Sequence, residues 1–197
     1  MMQRTEHRPF ACDEERVAKT MYLADGTAVV VRPICEADTE RLSRMFDRLS
    51  PTTVYRRFFS PITRPRQSVL HHLATVDHDR REALVALDGD EIVGVARYDT
   101  GRTGDQAEIA ITVEDAWQRR GLGSLLLRRL TKRARERGLE QFFASMLPDN
   151  RPALSLLHHL VPEARVALDG GTYEATVDLT SATQRGAVRQ AVHEAQT

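Results

Sequence analysis

Two rhythms of apolar residues alternate along this chain, one with the period of a strand and one with the period of a helix, and their order predicts its elements. Residues 27–33 read Thr-Ala-Val-Val-Val-Arg-Pro, a β-branched run closed by proline, and predict a first strand. Over residues 37–49 the period lengthens: Leu42, Met45, Phe46 and Leu49 share one face of a predicted helix. Ser50-Pro51 opens a second, short helix carrying Tyr55, Phe58 and Phe59, and residues 67–75 read as a third. From Glu82 the strand rhythm returns. Residues 84–87 and 92–96 flank Asp88-Gly89-Asp90, a hairpin turn in which glycine tolerates positive φ, and residues 107–113 read as a buried strand. Leu122, Leu125, Leu126, Leu130 and Ala134 then predict a long helix from Gly121 to about Arg137, ended at Gly138. Residues 141–147 form a strand parallel to 107–113, because a helix crosses between them. Residues 150–160 predict a last helix, and 164–168 with 173–179 a hairpin around Asp169-Gly170-Gly171. The pattern is that of an α/β fold with one mixed sheet.

Both ends break the pattern. Residues 1–20 and 181–197 are polar with poor periodicity and are expected to be peripheral to a domain over 21–180, although 185–196 could form a helix. A chain of 197 residues fits one such domain with a substantial core. Lys+Arg and Asp+Glu are both 28, so bulk charge gives no attraction to nucleic acid or to an anionic membrane. The basic helix face of Arg128, Arg129, Lys132, Arg133, Arg135 and Arg137 reads as a solvated face paired with acidic neighbours. No apolar run approaches the roughly 18 residues of a membrane span, and the start is charged rather than signal-like. Cys12 and Cys35 lie far apart and suggest a reducing interior rather than a disulfide scaffold, which places the protein in the cytoplasm. His71, His72, Asp77 and His78 match no zinc spacing, so no metal is expected.

The chemistry concentrates at Gln118-Arg119-Arg120-Gly121-Leu122-Gly123, between the 107–113 strand and the long helix. Backbone N–H groups in a first helical turn have no intrahelical partner and sit at the positive end of the helix dipole, so they stabilise an anion. Glycines 121 and 123 carry no Cβ and let a diphosphate approach the backbone. A Walker loop would end in Gly-Lys-Ser/Thr and a dinucleotide fingerprint would read Gly-x-Gly-x-x-Gly; neither is present. The stretch resembles the Gln/Arg-x-x-Gly-x-Gly/Ala signature of the GCN5-related N-acetyltransferases, and the element order from Val29 to Leu179 is similar to theirs. That resemblance implies that Gln118, Arg119, Arg120, Gly121, Leu122, Gly123 and Ser124 grip the pyrophosphate of acetyl-CoA. It also implies a sheet splayed between the Glu108 strand and the Phe142 strand, with the backbone of Ile111, Thr112 and Val113 bonding the pantetheine arm and an N–H near Val113 stabilising an oxyanion. Asn150 resembles the asparagine that contacts this arm; by itself it reads as the cap of the helix that Pro152 helps to open.

Acetylating an amine by direct attack needs a neutral nitrogen, and a lysine amine, with an ordinary pKa of about 10.4, is mostly protonated at neutral pH. Glu108 interrupts an apolar strand just before the loop and resembles the family's glutamate general base; partial burial is expected to raise its pKa. Paired with an arginine such as Arg97 it would be a structural carboxylate instead. Glu114 and Asp115 read as solvated loop residues. Many members of the family supply a tyrosine seven residues after the asparagine; here that position is Leu157, with Ser155, His158 and His159 nearby. Residues 49–61 resemble a segment of the bacterial protein-lysine acetyltransferases, which makes Tyr55 and Phe59 candidate acceptor contacts, with packing as the alternative for at least two of Tyr55, Phe58 and Phe59. The reading is an acetyl-CoA-dependent N-acetyltransferase acting on a protein lysine. A small amine as acceptor, or a non-catalytic acyl-CoA-binding module, are the alternatives.

Overall fold

The protein is described by a computed structural model at residues 18–62, 64–101, 106–162 and 164–180; the helix expected over 185–196 lies outside these. Eight strands form one mixed sheet: β1 (Lys19–Tyr22), β2 (Ala28–Pro33), β3 (Arg81–Asp88), β4 (Glu91–Asp99), β5 (Gln106–Val113), β6 (Gln141–Met146), β7 (Arg165–Asp169) and β8 (Thr172–Asp178). They lie side by side in the order β1-β2-β3-β4-β5-β6-β8-β7. Five helices join them: α1 (Thr39–Arg48), α2 (Pro51–Phe58), α3 (Gln67–Ala74), α4 (Leu122–Glu136) and α5 (Arg151–Leu160). All strands expected from the sequence form, and β1 is added in front of them.

The alternation within each strand sorts side chains onto two faces. One face carries Leu84, Ala86, Ala96, Tyr98, Ala107 and Phe142, and packs against Leu122, Leu126, Leu130 and Ala134 of α4. Contact there is close at Gly94, where a Cβ would lie 3.0 Å from Leu126 and 3.1 Å from Leu122. The other face carries Val85, Ile92 and Val95 beneath Leu42, Met45, Phe46 and Leu70 of α1 and α3. These helices stop short of β6 and β8, so the second face is left open toward that edge: Phe143 is 39% exposed.

The ladder between β5 and β6 holds at Gln106, Ala107 and Glu108, opposite Gln141, Phe142 and Phe143, and goes no further. Beyond it β5 stays paired with β4 to Val113, and β6 with β8 to Met146. The two middle strands therefore part from Glu108 onward, as the family resemblance implies. Cys35 is disulfide-bonded, where the sequence suggested a reducing interior rather than a disulfide scaffold.

Candidate active site at the parting of the sheet

Helix α4 begins at the open end of this gap. Arg119 and Gly121 both hold left-handed backbone, at φ 60° and 85°, a conformation natural to glycine and costly for arginine, and the turn they make aims the first N–H groups of α4 outward. No side chain caps α4, whereas Ser50 caps α2 and Asn150 caps α5. The free N–H groups of Leu122, Gly123 and Ser124 thus keep the hydrogen-bonding capacity that a diphosphate would satisfy. Gly123 is pressed close to α5, its missing Cβ falling 3.4 Å from Leu156.

The side chains of the loop mostly hold the loop itself. Gln118 donates from Nε2 to the Val113 carbonyl at 3.1 Å and to Thr53 Oγ1 at 3.3 Å. Arg120 stacks over Trp117 at 4.5 Å and donates to Asp25 at 2.8 Å and Thr27 at 2.6 Å. Hydrogen bonds from Thr27, backbone first, and then Arg120 hold the Asp25 carboxyl down to about 2. Arg119 is exposed. Asn150 accepts from Ala153 N at 3.3 Å, the capping role open to it on sequence alone.

Glu114 is drawn out of solvent, against expectation, while Asp115 stays exposed yet bonded. Arg48 donates to Glu114 at 3.0 Å, and Asp115 accepts from Ser50 N, Ser50 Oγ and Thr53 Oγ1 at 2.8–2.9 Å. At its other end α2 is fastened by Arg56, which donates to the Asp149 carbonyl at 3.0 Å and to its carboxylate at 3.2 Å. Helix α2 is thereby strapped to segments on both sides of the gap, a role for Ser50, Thr53 and Asp149 that no local pattern announces. Phe58 packs on Phe46 with ring centroids 5.6 Å apart, while Tyr55 and Phe59 stay 44% and 41% exposed; packing therefore claims one of the three aromatics rather than two.

Glu108 stands where the strands part. It is exposed, not partly buried as expected. Its register partner Asp99 and the alternation of β5 put it on the open face with Ala110 and Thr112. Arg97 does not pair with it. The positive charge that acts on it comes from Arg57 of α2, and among the described residues Glu108 has no hydrogen bond or salt bridge, so both oxygens are available. Leu157 is buried in the core and Ser155, His158 and His159 are exposed on α5. No group of three metal-ligating side chains occurs among the described residues. No described helix is long and apolar enough to cross a membrane.

A parted parallel strand pair, an uncapped helix N-terminus at its open end, and Glu108 beside Asp99 where the strands part make a candidate acyl-transfer site. Residues 44–160 match the acetyltransferase (GNAT) family model. Acetyltransferase PA5475 of Pseudomonas aeruginosa is 36% identical over 133 residues, 66% of this chain and 72% of that protein. Acetyltransferase Pat of Mycolicibacterium smegmatis is 32% identical over 138 residues, 68% of this chain and 41% of the longer relative. The GNAT domain of S. lividans PAT has the same fold, with a TM-score of 0.76 at 31% identity over 82% of this chain and 96% of that domain. The chain belongs to the GNAT acetyltransferase family and is an N-acetyltransferase.

Proposed function

We propose that this enzyme transfers the acetyl group of acetyl-CoA to a primary amine, with a protein lysine as acceptor and Glu108 as the general base. The observation that carries this reading is the parting of β5 and β6 at Glu108, directly in front of the uncapped α4. The donor supplies an activated thioester carbonyl. The chain supplies three things: N–H groups of residues 122–124 for the diphosphate, a β5 edge over residues 109–113 without a β6 partner for the extended arm, and a carboxylate for the proton. The acceptor enters as an ammonium, gives its proton to Glu108 directly or through one water, and attacks as the neutral amine. Tyr55, Phe59 and Phe143 leave apolar surface exposed on this side, suited to a lysine stem and its flanking peptide. Support for a macromolecular acceptor comes from this surface and from the likeness of residues 49–61 to the protein-lysine branch.

Free-thiol release in the presence of folded proteins, lysine peptides, polyamines and amino acids tests the assignment. Thiol release with acetyllysine formation in a protein or peptide is expected; turnover of small amines alone replaces the protein acceptor with a small one. Gly123→Val, which sets a branched side chain at the helix start, should weaken acetyl-CoA binding at least tenfold, about 1.4 kcal/mol by calorimetry. Unchanged affinity in the folded variant contradicts the cradle.

A further inference from the structure

Over Ala110 and Thr112 of β5, under α1, α2 and α3, lies a cavity of about 20 Å³, room for one small polar group. Leu42, Phe46 and Leu73 give it apolar walls, and Arg57, Arg97 and Thr112 give it polar ones. Neither arginine has an acidic partner in contact. Among the described residues Arg57 makes no hydrogen bond or ion pair and lies 5.1 Å from the Phe58 ring; Arg97 gives Nη2 to the Leu73 carbonyl at 3.0 Å. Burial pushes Arg97 down to about 10, helped by the positive charges of Arg57 and Arg81 and opposed by Asp99. Burial also lowers Arg57, with Glu108 opposing it. Desolvated charges are ordinarily paired or held against a ligand, and two neighbouring guanidinium groups sharing no carboxylate form a preset fork for one.

The register connects this fork to the reaction. Arg97 pairs with Ala110, and Ala110 follows Glu108 on the same face of β5, two residues or about 7 Å along the strand. We propose that Arg57 and Arg97 form an anion subsite that receives a carboxylate of the acceptor whose amine Glu108 deprotonates, two residues away along the same face of β5. The carboxylate is either the acceptor's own, in an amino acid, or that of an acidic residue beside the acetylated lysine. This assignment of the ligand rests on the acetyl-transfer reading; the presence of an anion site does not.

Two measurements separate the claims. Thermal unfolding with hexanoate or hexanamide reads the subsite without turnover: hexanoate should raise Tm by about 3 °C near saturation, hexanamide should not, and Arg57→Gln or Arg97→Gln should abolish the difference. Equal shifts from both probes, or a hexanoate shift that survives in both variants, overturn the subsite. Transfer kinetics read the source. A lysine peptide with Glu beside the lysine should exceed its Gln counterpart at least tenfold in kcat/KM, or an amino acid should exceed its amide by as much. The effect should reside in KM and vanish in Arg97→Gln. Equal kcat/KM within both pairs overturns the acceptor carboxylate, whereas absence of turnover with every amine counts against the acetyl-transfer reading.

Discussion

Adjacent residues of β4, Arg97 and Tyr98, face opposite sides of the sheet, and charge is paired on the two sides in opposite ways. On the Tyr98 side, Glu82 is 0% exposed and fully engaged. It accepts from Arg133 at 2.7 Å and from the Ala83 backbone at 3.1 Å, with His78 Nδ1 at 2.8 Å and Arg137 at 3.6 Å. The basic stripe of α4 is thus paired with acidic neighbours, as expected, Arg133 and Arg137 with buried Glu82 and exposed Lys132 with Glu136. On the Arg97 side, half-buried Arg57 and Arg97 have no carboxylate in contact among the described residues. A buried charge that serves the fold is saturated by the fold; a half-buried one left without a counter-charge beside the gap is open to a ligand.

The largest effect on stability should come from the saturated side. Glu82→Ala leaves Arg133 and Arg137 without their shared anion and should cost about 3–5 kcal/mol in urea unfolding; a cost below about 1 kcal/mol would erase the contrast between the two sides. A smaller loss, about 2 kcal/mol, is expected for Asp38→Asn, because Asp38 binds the buried Arg32 through two bonds of 2.6 and 2.8 Å. Asp38 also sets a pH dependence. Hydrogen bonds from Arg32 and the Cys35 backbone overcome burial and hold its carboxyl below the ordinary value of 3.8. Its contribution is therefore complete above that pH and is lost as the pH falls through the depressed folded value. Parent and Asp38→Asn should differ by a constant amount above pH 3.8 and converge as the pH falls below it. The smallest effect has the opposite sign. Arg97→Gln removes a repelled, desolvated charge and should stabilise the unliganded protein by about 1 kcal/mol; destabilisation would mean that the fold already satisfies Arg97.

What could be read in advance follows from how local each signal is. Gly121 and Gly123 between a β-branched strand and a leucine-periodic helix announce the cradle within a dozen residues, and the strand and helix order followed from periodicity. Lys-Thr-Met-Tyr of β1 offers no alternation and little apolar mass, so its strand exists through pairing with Val29 to Val31 and was invisible. Gln118, Glu114 and Asp115 were legible as polar residues near the loop, but their partners lie on α1 and α2, more than sixty residues away in sequence. The Arg57–Arg97 fork was hidden for the same reason: desolvation and the lack of a counter-charge are properties of packing, and single arginines in a helix and a strand carry no mark of them.

The account turns on Glu108 as the proton acceptor at the parted strands, and Glu108→Gln tests it most directly. The amide keeps the shape and cannot take the proton, so with chemistry rate-limiting kcat should fall about 10²- to 10⁴-fold while acetyl-CoA affinity stays within about twofold of the parent. In the parent, kcat/KM should rise with pH as Glu108 and the amine lose protons, and the variant should keep the amine limb alone. A variant that retains more than about a third of parental kcat, with the pH profile unchanged, would contradict the assignment and return the proton to solvent or to another group.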